Sequence, residues 1–148
     1  MREQPKDRAV LLSVFPKFAH QILAGVKKVE LRKVCPKITK GGLILLYVTS
    51  PEKSLRAILR IDKIESGSPD DLWAQTRENV GLSYSEFKDY FNGTTVGHAI
   101  FFDKIVQLSK PLPLATLKAL IPGFQPPRVH RYLSIQELNI LYNEFGNL

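Results

Sequence analysis

The nine residues from Gly25 to Lys33 read Gly-Val-Lys-Lys-Val-Glu-Leu-Arg-Lys, four cations around one acid. In an extended chain Glu30 and Arg32, two apart, project to the same side. A carboxylate beside a planar five-donor guanidinium can grip a polar ligand, or the two can pair with each other or with neighbouring strands. Lys27 is off that parity, and it joins the patch only if the strand begins after it or a bulge turns it. On spacing alone, a solvated strand face of mixed charge is the better reading. The charge distribution points to the same stretch. The 148 residues carry +7, and residues 1–40 hold ten Lys/Arg against three Asp/Glu, whereas residues 41–148 hold eleven of each sign. This predicts a local anion-attracting patch and rules out a uniformly basic surface.

Other chemistry is sparse. His20, His98 and His130 are far apart, and none pairs with a carboxylate at metal-ligand spacing, so each reads as a surface or packing histidine. No phosphate-cradling glycine loop precedes a helix, and no Gly-x-Ser-x-Gly elbow occurs. Cys35, the single cysteine, excludes an intramolecular disulfide and a Cys-based zinc site. Its neighbours Arg32, Lys33 and Lys37 could lower its pKa, but with no identifiable base a structural role is the better reading. No metal and no cofactor is expected.

The elements that must position this stretch are legible. After a polar lead-in of eight residues, residues 9–15 read as a buried strand. Pro16 opens a helix that stops at Gly25, with Phe18, Ile22 and Leu23 as its buried stripe. Residues 28–33 alternate as a half-buried strand, with Lys28, Glu30 and Arg32 opposite Val29 and Leu31. Lys40-Gly41-Gly42 is a turn. Residues 43–49 form a fully apolar strand, and residues 55–64 an alternating one.

Ser68-Pro69-Asp70-Asp71 starts a helix, and Ser83-x-x-Glu86 is a capping box for a second helix ending at Asn92-Gly93. Residues 95–108 read as one long strand or a hairpin arm, ended by Pro111 and Pro113, and residues 114–120 as a short helix. Pro126-Pro127 begins an extended segment through Leu133. A further capping box, Ser134-x-x-Glu137, opens an amphipathic helix with Leu138, Leu141, Tyr142 and Phe145 on one side. Strands dominate the first half with no regular βαβ alternation. The expected fold is α+β: a small, mostly antiparallel barrel flanked by short helices, in one domain over residues 1–148. Its longest apolar run is six residues, far below the ~20 needed to span a bilayer. With no signal-peptide pattern, the expected setting is cytoplasmic.

The chain resembles ASCH-domain proteins of the PUA-like superfamily. The family hallmark, similar to Gly-x-Lys-x-x-Glu-x-Arg after a short helix, stands complete as Gly25, Lys27, Glu30 and Arg32. Around it lie Leu12-Ser13-Val14-x-Pro16, Leu46-Tyr47-Val48-Thr49-Ser50-Pro51 and Asp71-Leu72-Trp73. Further on come Phe87-x-x-Tyr90-Phe91-x-Gly93, Gly97-His98-Ala99-Ile100 and Pro126-Pro127 before Arg131-Tyr132-Leu133. The resemblance covers roughly residues 9–133, with residues 134–148 as a helical extension. It implies a small β-barrel with helices closing one side and a cleft beside the hallmark strand. In that cleft Lys27, Glu30 and Arg32 would bind, with Ser13, Thr49, Ser50 and Arg128 as further candidates. Tyr47 could offer a stacking face, though an aromatic in so apolar a strand is more often core.

Members of the superfamily are generally taken to bind RNA or modified nucleosides, often as coregulators of transcription or translation. An RNA-binding module is therefore the expected function, with RNA, other nucleic acid or a modified nucleoside as partner and no membrane. The alternative is an enzyme. Some relatives resemble amidohydrolases that deacylate N4-acetylcytidine with Lys, Thr and Glu. This sequence has Lys27 but places Glu30 where the threonine would stand, so Lys27 and Glu30 would carry any catalysis, with Glu65 a possible partner acid. Ribonuclease activity has also been proposed for some members. A protein partner docking on the C-terminal helix is a further reading, with packing of that helix on its own barrel the better one.

Overall fold

The computed structural model describes residues 9–146, and the polar lead-in lies outside them. Its strands are β1 (Val10–Val14), β2 (Val29–Arg32), β3 (Leu43–Val48), β4 (Ser54–Gly67), β5 (Gly97–Pro113) and β6 (His130–Tyr132). Its helices are α1 (Pro16–Leu23), α2 (Pro69–Thr76), α3 (Tyr84–Tyr90), α4 (Leu114–Leu120) and α5 (Ile135–Phe145). The strands form one curled, half-barrel sheet in the order β2-β5-β4-β3-β1-β6. Only β1 and β3 run parallel; the other pairs are antiparallel. The mixed α+β class read from the sequence is the class observed.

Both faces of the sheet are covered, which explains the unbroken apolar run of β3. On one face Leu11, Leu45, Tyr47 and Leu55 pack with Leu117 of α4 and Leu141 and Phe145 of α5. On the other, Leu12, Ile44, Leu46 and Leu59 pack with Ala19 and Ile22 of α1. A third cluster joins Val29 and Leu31 of β2 to Leu72 of α2 and to Phe87 and Phe91, on and just after α3. Gly97 belongs to this contact, because a Cβ there would stand 2.5 Å from the Phe91 ring.

The start signals act as read. Ser68 caps α2 by accepting from the Asp71 N–H, and Ser83 and Ser134 form the capping boxes of α3 and α5. Gly25 follows the end of α1 with φ +80°, which a side chain rarely adopts.

Several details differ from the sequence reading. Pro111 does not end β5, because the ladder passes from Ala57–Gln107 to Leu55–Leu112. The intervening residues bulge away, so the missing proline N–H breaks no ladder bond. In α1 the fully buried residues are Ala19 and Ile22, with Phe18 and Leu23 at the edges of the stripe. Tyr142 faces outward, whereas Leu141 and Phe145 anchor α5 on the sheet. Tyr47 is only 2% exposed and belongs to the core, so it offers no stacking face. Among the described residues, no helix is long and apolar enough to cross a membrane.

Candidate functional site

β2 begins at Val29, so Lys27 precedes it and is free of the strand's alternation. The chain at this point is held by Lys27 and Val26 N–H groups donating to Gln21 O, and by Lys28 N–H donating to Asn79 O at 2.7 Å. These bonds turn the Lys27 side chain into the same space as Glu30 and Arg32. That space is a cavity of about 570 Å³. Ser13, Thr49 and Arg128 line it together with the three hallmark residues. Ser50 does not; it is exposed, ahead of the cis Ser50–Pro51 bond.

The hallmark side chains are not on a solvated face. Lys27 is 2% exposed and Glu30 9%. The Lys27 ammonium donates to Val80 O at 2.7 Å and sits 5.3 Å from the centre of the Phe18 ring. Burial pushes its pKa below the ordinary lysine value, with the Glu30 charge opposing that shift and the Arg32 charge adding to it. Arg32 Nε donates to Glu30 Oε2 at 3.1 Å and its Nη2 lies 2.9 Å from the same oxygen. Glu30 Oε1 makes no hydrogen bond among the described residues.

Several cavity residues were not expected at the site from the sequence. Phe15, Phe18 and Tyr90 supply aromatic walls, and Leu82, Pro126 and Pro127 apolar ones. Tyr90 donates to Leu31 O at 3.2 Å, and Lys33 Nζ stands 5.0 Å from its ring centre. Glu86 adds a second acid at the rim, where it accepts from Lys17 at 2.9 Å. The Ser83 backbone N–H and the Lys17 ammonium hold the Glu86 carboxyl down at about 2. Its capping role was legible in the sequence; that α3 stands at the cavity was not. Ser13 Oγ, on the cavity wall, is buried without a hydrogen-bond partner among the described residues.

Two candidates move away. Glu65 lies opposite Ala99 on the β4–β5 ladder and pairs with Lys63, so it is no partner acid for Lys27. The basic cluster also disperses. Lys40 lines a separate shallow hollow with Asp62 and Lys63, and Lys37 is exposed, its N–H donating to the Tyr132 hydroxyl. The Cys35 thiol is pushed up by burial rather than down by cations, and it donates to Pro36 O. Among the described residues, no cluster of His, Cys, Asp or Glu could hold a metal ion.

A curled mixed sheet, covered by helices on both faces and carrying a Lys-Glu-Arg cavity beside an end strand, defines a class of small domains. The chain belongs to the ASCH domain family, whose model matches residues 12–105. It is 31% identical over 137 residues to a Zymomonas mobilis protein named ASCH domain-containing ribonuclease, covering 93% of this chain and 92% of that one. The crystal structure of ASCH from Zymomonas mobilis matches with a TM-score of 0.88 at 29% identity, over 95% of this chain and 96% of the other. The N-terminal domain of Thermococcus gammatolerans McrB bound to m5C DNA shares the fold. Its TM-score is 0.57 at 15% identity, covering 94% of this chain and 97% of that one.

Proposed function

We propose that this protein is an RNA-binding module of the cytoplasm whose cavity takes one unstacked nucleotide. The observation that carries the reading is the joining, in one cavity of about 570 Å³, of buried Lys27 and Glu30 with the aromatic walls Phe15, Phe18 and Tyr90. The volume suits a nucleotide-sized ligand. Aromatic faces stack any base, while a donor and an acceptor fixed at the back read its polar edge. Arg128, exposed on the cavity wall, is the cation this reading assigns to phosphate.

The test is fluorescence anisotropy with labelled single-stranded RNA and DNA across a salt series. If three or four cations meet phosphate, the log–log slope is about −2 to −3. Absence of binding to either strand at low salt would overturn the reading.

A second reading, ribonuclease, is favoured by the name of the Zymomonas mobilis relative. The chemistry that fits is transesterification. The 2′-oxygen bonds to phosphorus and passes its proton to Glu30, the P–O5′ bond breaks, and the leaving oxygen takes a proton from Lys27. A lysine whose pKa is lowered by burial is suited to give up that proton. Cleavage of the labelled RNA by wild type and its loss in Lys27→Ala would support this reading. Intact RNA after prolonged incubation with the wild type would remove it and leave binding alone.

A further inference from the structure

β2 and β6 are the two ends of the sheet, with no backbone ladder between them. Arg32, the last residue of β2, reaches across that gap. Its Nη1 donates to Val129 O at 3.0 Å, immediately before β6, and its Nη2 donates to Ser13 O at 3.0 Å on β1. Nε and Nη2 both meet Glu30 Oε2. Every nitrogen of the guanidinium is engaged, on a side chain 11% exposed. A phosphate needs a free edge of the fork, and here the edges face two carbonyls and a carboxylate. Arg128 is the opposite case, since it lines the same cavity, is exposed, and makes no hydrogen bond or ion pair among the described residues. A second tie to β6 comes from the connection after β2, where Lys37 N–H donates to the Tyr132 hydroxyl at 2.7 Å.

We propose that Arg32 is a positioning residue: it clasps the two ends of the sheet, holds the 126–129 wall of the cavity and orients Glu30, while the ligand phosphate is met by Arg128. The clasp stands on geometry alone; the assignment of phosphate rests on the RNA-binding reading above. Lysine cannot replace the clasp, because a single ammonium has no planar fork to reach two carbonyls and a carboxylate together.

The experiment compares full-length wild type with Arg32→Lys, Arg32→Gln, Arg128→Ala and Glu30→Gln. Amide exchange of residues 130–132 is followed without ligand, and the affinity and salt slope for single-stranded RNA are measured in parallel. With Arg32→Lys, exchange at 130–132 speeds up and affinity falls about tenfold although the charge is kept. Arg32→Gln lowers affinity with the slope unchanged, whereas Arg128→Ala leaves exchange alone and makes the slope shallower by about 0.7. Combining Arg32→Lys with Glu30→Gln gives less than the sum of the two losses, because Arg32 acts partly through Glu30.

Wild-type exchange and affinity in Arg32→Lys, a shallower slope in Arg32→Gln, or an unchanged slope in Arg128→Ala each overturn the proposal. If the wild type binds no RNA, the RNA-binding reading fails, and exchange at 130–132 still decides the clasp. Should Arg32→Gln not fold, the charge-conserving Arg32→Lys and the Arg128→Ala slope carry the test.

Discussion

On β4, Arg60 reaches across to Asp103 of β5 with Nε and Nη2, at 2.9 and 3.3 Å, and the two side chains are 49% and 38% exposed. On β2, Arg32 meets Glu30 at comparable distances, and each side chain is 11% exposed. Both strands alternate charged with apolar residues, and each arginine makes a forked contact with a carboxylate. The difference lies in what covers them. Water bathes the β4 pair, so Coulomb attraction there is weak and screened. Residues of α1, of α3 and of the 126–128 segment enclose the β2 pair in a cavity wall, where an unpaired charge is costly. A similar local pattern therefore makes a solvated surface in one place and a candidate site in the other.

The largest expected consequence is for Arg32→Ala, which strands the Glu30 carboxylate and removes two carbonyl contacts. Its stability loss is about 3 kcal/mol, read from the shift in urea midpoint. A loss no greater than that at Arg60 would erase the distinction between the two pairs.

Lys27→Met sharpens the comparison from the other side, since it removes a desolvated charge but keeps the volume. Stability at neutral pH changes by no more than about 1 kcal/mol. Lys27 should also leave a signature in pH. Its folded pKa lies below 10.5, so above neutrality the unfolded chain holds this proton more tightly than the folded one. Wild type therefore gains stability relative to Lys27→Met as pH rises from the folded value towards 10.5. A difference that stays flat over that window would mean that the ammonium is not desolvated. The smallest effect is expected for Arg60→Ala, whose urea midpoint barely moves in the same titration and moves still less at high salt.

Much of this molecule could be read without coordinates because its signals are local. Ser68, Ser83 and Ser134 satisfy orphan helix N–H groups within their own first turns, and Gly25 supplies a left-handed residue where α1 ends. β3 announces two-sided burial by having no polar residue between Leu43 and Val48. Pro111 misled because a proline that ends a regular strand can be carried in a bulge, and the bulge depends on the partner β4. Glu65 misled for a related reason: its place at a strand end said nothing about which neighbours would surround it.

By itself, the amino-acid order determined the helix starts, the apolar strands, the family hallmark and the concentration of positive charge in the first quarter. These depend on hydrogen bonds, side-chain alternation or residue types confined to short stretches of chain. The family resemblance implied that Lys27 joins Glu30 and Arg32, with Arg128 nearby; tertiary structure alone decided that Phe18, Glu86 and Tyr90 gather around them and that Arg32 is engaged by Val129 and Ser13. Those contacts span up to 97 residues of chain. Burial and the pairing of charges are properties of the space around a group, which depends on how distant segments pack together.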